Sequence, residues 1–224
     1  MGHTEPPETC AAILVAAGSS RRMGFDKLAA SIAGIPVMQR SLNAFLAAQS
    51  ISEIIVVCPL ERWNLLTLTP FHKPVTRVDG GADRQDSVAA GLAHISSQFV
   101  AVHDAARPLI LPEEIDRCVA AAFTHNAATL ARRVTETLKR SDAADFNSEA
   151  ISRENLWFME TPQVFKISLL LDAYAAVKTR GLSITDEVSA MESIGTRVKF
   201  IESQHPNLKI TTPADLALAE ALLT

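Results

Sequence analysis

The chain has 224 residues, a net charge of −4 and a pI near 5.9, so bulk attraction to nucleic acid or an anionic membrane is excluded. Apolar residues make up 48% and aromatics only 5%, the balance of a buried parallel sheet built from Ala, Val, Ile and Leu under helices. Cys10, Cys58 and Cys118 are widely separated, which excludes a zinc or disulfide framework and reads as three small hydrophobes in a reducing compartment.

Residues 1–10 are polar and contain two prolines, a disordered leader rather than a signal peptide. No apolar run approaches the roughly 20 residues that span a bilayer, so a soluble cytoplasmic protein is expected. Ala11 to Ala17 is a continuous apolar run ending at Gly18-Ser19-Ser20, a buried strand entering a loop. Pro36 opens a helical pattern with Met38, Leu42, Phe45 and Leu46 on one face. Strands follow at Glu53 to Cys58 and Val75 to Val78, then a helix from Arg84 to Ile95, a strand at Phe99 to His103 and a helix opening at Pro112-Glu113-Glu114. Strands and helices alternate with short connections, which predicts an α/β fold: a mostly parallel, doubly wound, Rossmann-like sheet with helices on both faces.

The alternation breaks after Ala127 to Ala131. Residues 132–155 are charged and poor in core residues, and their weak alternation predicts a protruding β-arm rather than disorder. Compact structure resumes with a helix near Ile167 to Lys178 and a strand at Arg197 to Ile201. Thr212-Pro213-Ala214-Asp215 is a capping box that starts a last helix, with Leu216, Ala219, Leu222 and Leu223 as its buried stripe. Residues 11–224 are therefore expected to form one domain, without a fused second enzyme.

Ligands of a parallel α/β sheet bind beyond the carboxyl ends of the strands, and the informative residues fall there. After the first strand, Gly18 and its small neighbours let backbone N–H groups approach phosphates, while Arg21, Arg22 and Lys27 add charge. Neither a GxGxxG dinucleotide fingerprint nor a P-loop is present. After the third strand, Gly80-Gly81 allows close backbone approach, and Ser87 or a nearby Asp caps the next helix or meets a base edge. After the fourth, Asp104 is a natural holder for Mg²⁺ beside a phosphate site, and His103 reads as a packed neighbour.

Together these segments resemble nucleotidyltransferases that activate polyol phosphates, and most closely the 2-C-methyl-D-erythritol 4-phosphate cytidylyltransferases of the non-mevalonate isoprenoid pathway. The resembling blocks are AAGSSRRMG at 16–24, VDGGADRQDSV at 78–88, HDAARP at 103–108, TLKR at 137–140, ETPQVF at 160–165, ITDEVSAME at 184–192 and NLKITTPADLALAE at 207–220. The resemblance implies transfer of a cytidylyl group from CTP, with Arg22, Lys27 and Lys209 at the phosphates and Asp104 on Mg²⁺ or another divalent cation. Ala16, Ala17, Gly18, Gly81 and Ser87 would frame the nucleotide. Asp104, Arg107, Thr161 and Thr185 would bind the acceptor. Thr137 and Arg153 would reach across a homodimer to the acceptor phosphate in the partner's site, so the implied partners are CTP, a polyol phosphate and a second copy of the chain.

The sequence departs from the family pattern in four places. Lys27 follows Gly24-Phe25-Asp26 rather than a proline, a form similar to molybdenum-cofactor nucleotidyltransferases. Ala82 and Glu160 stand where polar residues and Gln are common, and Arg132-Arg133 where a small residue and proline are frequent. Two other readings compete: ribitol 5-phosphate cytidylyltransferase, and a catalytically silent nucleotide sensor. Ala105-Ala106 favours the methylerythritol acceptor over the first, and retention of Lys27, Asp104 and Lys209 speaks against the second.

Overall fold

The computed structural model describes residues 8–18, 23–67 and 72–223. Most of the expected leader and Arg22 lie outside the described residues. The first half runs β1 (Cys10–Val15), β2 (Ser31–Ile32), β3 (Ile35–Pro36), α1 (Val37–Ala47), β4 (Ile51–Val57), α2 (Leu60–Trp63), β5 (Val75–Val78), α3 (Arg84–Leu92) and β6 (Phe99–Asp104). The second half runs α4 (Pro112–His125), β7 (Ala127–Arg133), β8 (Leu138–Ser141), β9 (Asn147–Ile151), β10 (Trp157–Lys166), α5 (Ile167–Arg180), α6 (Glu187–Ser193), β11 (Lys199–Glu202) and α7 (Pro213–Ala221).

Seven strands form one sheet in the order β11-β7-β10-β6-β1-β4-β5. β1 pairs in parallel with both β4 and β6, so its apolar run is buried on every side. Its alternate residues divide the core: Ala12 and Leu14 face a layer with α1 and α4, whereas Ile13 faces α3, α5 and α6. Continuous hydrophobicity, rather than a period of two, is what a strand covered by helices on both faces requires. Among the described residues no helix is long and apolar enough to cross a membrane.

β10 is the element that periodicity did not reveal. It runs antiparallel between β6 and β7 and breaks register between Met159 and Gln163. Its residues alternate too weakly to announce a strand, yet Glu160 to Phe165 are all buried. Residues 138–151 carry a separate antiparallel hairpin of β8 and β9. At its base Arg132 stacks on Phe158 at 4.2 Å and Arg133 on Trp157 at 4.3 Å, contacts of about 0.5–1 kcal/mol each at exposed sites. The two arginines thus stiffen the point where the hairpin leaves the sheet.

α7 corrects one expectation. Its capping box is present, but of the expected stripe only Ala219 is fully buried, and Leu222 and Leu223 are exposed. The helix ends at Ala221 at the margin of the domain, against β2, so among the described residues no surface fully covers the last two leucines.

The loops after β1 and β5 meet backbone to side chain. A Cβ built on Gly80 would lie 2.4 Å from Cβ of Ala17, and one on Gly81 would lie 2.2 Å from Cβ of Asp86. Gly80→Ala is therefore expected to lower the unfolding free energy by about 1–3 kcal/mol, measured by urea denaturation. An unchanged midpoint and slope would show that the two loops separate freely.

Candidate active site

β6 delivers His103 and Asp104 to the carboxyl edge of the sheet, where the chain turns through Ala105 and Ala106. Asp104 is almost wholly buried and stays there because cations meet both of its oxygens. Arg84 Nε donates to Oδ1 at 3.1 Å and Lys209 Nζ to Oδ2 at 2.5 Å. Burial alone would raise the Asp104 pKa, but the charges of Arg84 and Lys209 and the Lys209 hydrogen bond hold it well below the usual carboxylate range. The group is an anion at neutral pH.

Arg84 lies in the stretch VDGGADRQDSV at 78–88, where the sequence gives it no role. At its other end Nη1 donates to both carboxylate oxygens of Glu187, at 2.6 and 2.7 Å. Glu187 is fully buried and also accepts from the Tyr174 hydroxyl at 3.0 Å. Gln163 Oε1 accepts from the N–H groups of Glu187 and Val188, and its amide donates to Asp186. The first turns of α3 and α6 and the end of β6 are thereby tied through one guanidinium. An arginine opening a helix gives no sequence signal for this, because both its partners come from distant segments.

Two cavities flank the network. One, about 350 Å³, is lined by Ala17, Gly18, Lys27, Gly81, Ser87 and Ala106, among others. The second, about 490 Å³, is lined by Arg107, Thr161, Thr185 and residues of β10 and α6. Arg84, Asp104 and Lys209 line both. A donor held in the first and an acceptor held in the second would therefore meet at the same charged partition.

The expected residues separate into groups. Ala17, Gly18, Lys27, Gly81 and Ser87 are brought together in the first cavity. Ala16 lies behind it, buried, with its N–H on the Val57 carbonyl at 2.8 Å. Ser87 Oγ accepts from Gly81 N–H at 3.2 Å and donates to the Asp83 carbonyl at 3.1 Å, so it shapes the Gly-Gly loop from beneath. Lys27 Nζ reaches the Ile210 carbonyl at 2.6 Å, which brings it beside the segment carrying Lys209.

On the acceptor side, Thr185 lines the cavity with its hydroxyl 3.4 Å from that of Ser189. Thr161 is committed inward: its hydroxyl accepts from Asp104 N–H at 3.1 Å and lies 3.0 Å from His103 Nδ1. Arg107 donates to the carbonyls of Asn207 at 2.6 Å and Met159 at 3.3 Å, and its buried Nε has no partner among the described residues. Thr137 and Arg153 line neither cavity; Arg153 donates to the Thr135 carbonyl on the exposed hairpin. Glu160 is held by Ser203 and Asn207 and lies 3.7 Å from Arg132.

Parallel strands that carry a cleft at their carboxyl ends, joined by a charged partition to a second polar cleft, fit an α/β nucleotidyltransferase. A family model described as 2-C-methyl-D-erythritol 4-phosphate cytidylyltransferase matches residues 10–224. The chain belongs to that family. A chloroplastic relative of that name from Oryza sativa subsp. japonica is 35% identical over 99% of this chain and 77% of its own. One from Parasynechococcus marenigrum is 40% identical over 94% and 96% respectively. The solved structure of the Thermus thermophilus cytidylyltransferase matches with a TM-score of 0.78 at 31% identity, covering 95% of this chain and 98% of that one.

His103 gives the site a measurable acid sensitivity. It is fully buried, its Nε2 lies 3.3 Å from the Arg107 carbonyl, and burial pushes its pKa down to about 3 despite the pull of Asp104. Below about pH 6.5 the unfolded chain protonates this histidine and the folded chain does not, so stability falls as pH falls toward 3, by up to about 1.4 kcal/mol per pH unit. Urea denaturation between pH 6 and 4 should show a shallower pH slope for His103→Asn than for the parent chain. Equal slopes would show that the buried imidazole does not drive the loss.

Proposed function

We propose that the chain transfers the cytidylyl group of CTP to 2-C-methyl-D-erythritol 4-phosphate, releasing 4-diphosphocytidyl-2-C-methyl-D-erythritol and pyrophosphate. The observation that carries this reading is the partition of Arg84, Asp104 and Lys209 shared by two cavities in a chain of this family. An oxygen of the acceptor phosphate attacks the α-phosphorus of CTP while the bond to the β-phosphate oxygen breaks and pyrophosphate departs in line. The attacking phosphate is already ionised near neutral pH, so no proton has to be removed from it. Catalysis then rests on positioning and on neutralising charge.

The nucleotide enters the cavity of Ala17, Gly18, Gly81 and Ser87, where a tight backbone frame excludes purine rings. Lys27, Arg22 and Lys209 neutralise the phosphates and the charge that grows on the α-phosphorus. Arg107, Thr161 and Thr185 orient the acceptor, Thr161 by fixing the Asp104 backbone. Asp104 fits a Mg²⁺ ion: it is ionised, lines both cavities, and its two hydrogen bonds leave lone pairs on each oxygen. One carboxylate completed by substrate phosphates suits this ion, and among the described residues no group of three or more acidic, His or Cys side chains gathers as a cage. Mg²⁺ would supply neutralisation of the triphosphate. The exposed arm of residues 132–155, with Thr137 and Arg153 flanking its hairpin, serves the partner's site in a homodimer, and the protein works in the cytoplasm.

Pyrophosphate release with CTP and Mg²⁺ tests the reading directly. It should occur with methylerythritol phosphate and not with ribitol 5-phosphate; release only with the latter would overturn the acceptor, and silence with both would favour a nucleotide sensor. Lys27→Ala should lower kcat by about 10²–10³. Mixed with Arg153→Ala it should recover about a quarter of the parent activity, since half the dimers are hybrids with one intact site of two. No recovery after confirmed subunit exchange would sink the trans-acting arm.

A further inference from the structure

Arg62 lies outside both cavities but holds the loop that lines the nucleotide cleft. It sits on α2, directly after β4, and is only 8% exposed. A guanidinium is taken out of water only where oxygens replace its hydration, and here they come from two points of one loop. Nε donates to Asp26 Oδ2 at 2.7 Å; Nη1 donates to the Ala16 carbonyl and, at 3.0 Å, to that of Gly18. Ala16 and Gly18 form the entry to the loop, and Asp26 forms its exit, beside Lys27.

Each contact has a consequence on the cleft side. In a trans peptide the carbonyl and the following N–H point in opposite directions. Holding the Ala16 carbonyl on Arg62 therefore turns the Ala17 N–H to the opposite side, that of the cleft lined by Ala17 and Gly18. At the exit, Asp26 Oδ1 accepts from Leu28 N–H at 3.1 Å, and its carbonyl accepts from Ala29 and Ala30 N–H at 3.2 Å each. Lys27 stands in the middle of this closed turn. Asp26 fixes the turn, and Arg62 fixes Asp26 relative to the start of the loop.

We propose that Arg62, through its contacts with Ala16, Gly18 and Asp26, is a positioning residue that presets the Ala17 amide and Lys27 for the triphosphate. It touches no substrate and acts through the loop. The proposal rests on the reading that the cleft takes CTP. A lysine at position 62 can satisfy Asp26 or a carbonyl, but its single ammonium lacks the fork that spans both ends of the loop.

The experiment compares the parent chain with Arg62→Met, Arg62→Lys and Asp26→Asn. Amide hydrogen exchange without nucleotide reads the clasp itself, and calorimetric titration with CTP and Mg²⁺ reads its consequence. Arg62→Met should speed exchange at residues 16–18 and 26–28 and weaken CTP binding about tenfold, with the acceptor KM at saturating CTP within twofold of the parent. Arg62→Lys should fall between, and Arg62→Met and Asp26→Asn combined should lose less than the sum of the two single losses. Asp26→Asn alone, at a partly exposed position, carries the test if Arg62→Met does not fold. Exchange and CTP affinity both within twofold of the parent would overturn the proposal. No CTP binding by the parent chain would refute the nucleotide reading, while the exchange data would still decide whether Arg62 orders the loop.

Discussion

The site depends on one guanidinium shared by two buried carboxylates. Glu187 is fully buried and Asp104 nearly so, and an unpaired carboxylate in either place would face a desolvation cost of several kcal/mol. Arg84 meets both, and Lys209 adds a second cation on the open side of Asp104. The same pairing that makes burial tolerable also joins α3, β6 and α6 into one rigid rim. Asp104 is thus kept charged at the one place where both cavities meet.

β10 supplies the other half of the rim. It is inserted antiparallel between two strands of an otherwise parallel sheet, and its register break lets Thr161 face the Asp104 backbone while Gln163 meets the start of α6. The same strand pairs with β7 at the root of the projecting hairpin, where Arg132 and Arg133 stack on its aromatic residues. The acceptor cavity and the arm are consequently built on one continuous segment. A change in arm direction would be felt along β10 before it reached any substrate.

Much of this was legible in the sequence because the signals were local. Buried parallel strands read as unbroken apolar runs, the capping box at Thr212 has its own spacing, and glycines mark where loops approach closely. The block around Asp104 and the lysines lie along the chain at or after strand ends, and the structure brings Asp104 and Lys209 to the wall shared by both cavities and Lys27 to the first. β10 was not legible as a strand, since a segment buried by both neighbours and interrupted by a register break shows no period. Leu222 and Leu223 misled for the opposite reason: their spacing fits a buried face, but burial requires a partner surface that the described residues do not provide.

The sequence by itself determined the alternation of strands and helices along most of the chain, the capping box of α7 and the identity of the charged residues, all consequences of neighbours along the chain. Only the tertiary structure decided which charges neutralise one another. Arg84 finds Glu187 across 103 positions, Lys209 finds Asp104 across 105, and Arg62 finds Asp26 across 36. Such pairings are chosen by what burial leaves unsatisfied once the sheet has closed. That demand exists only in three dimensions, because each group is fully solvated until its neighbours remove the water.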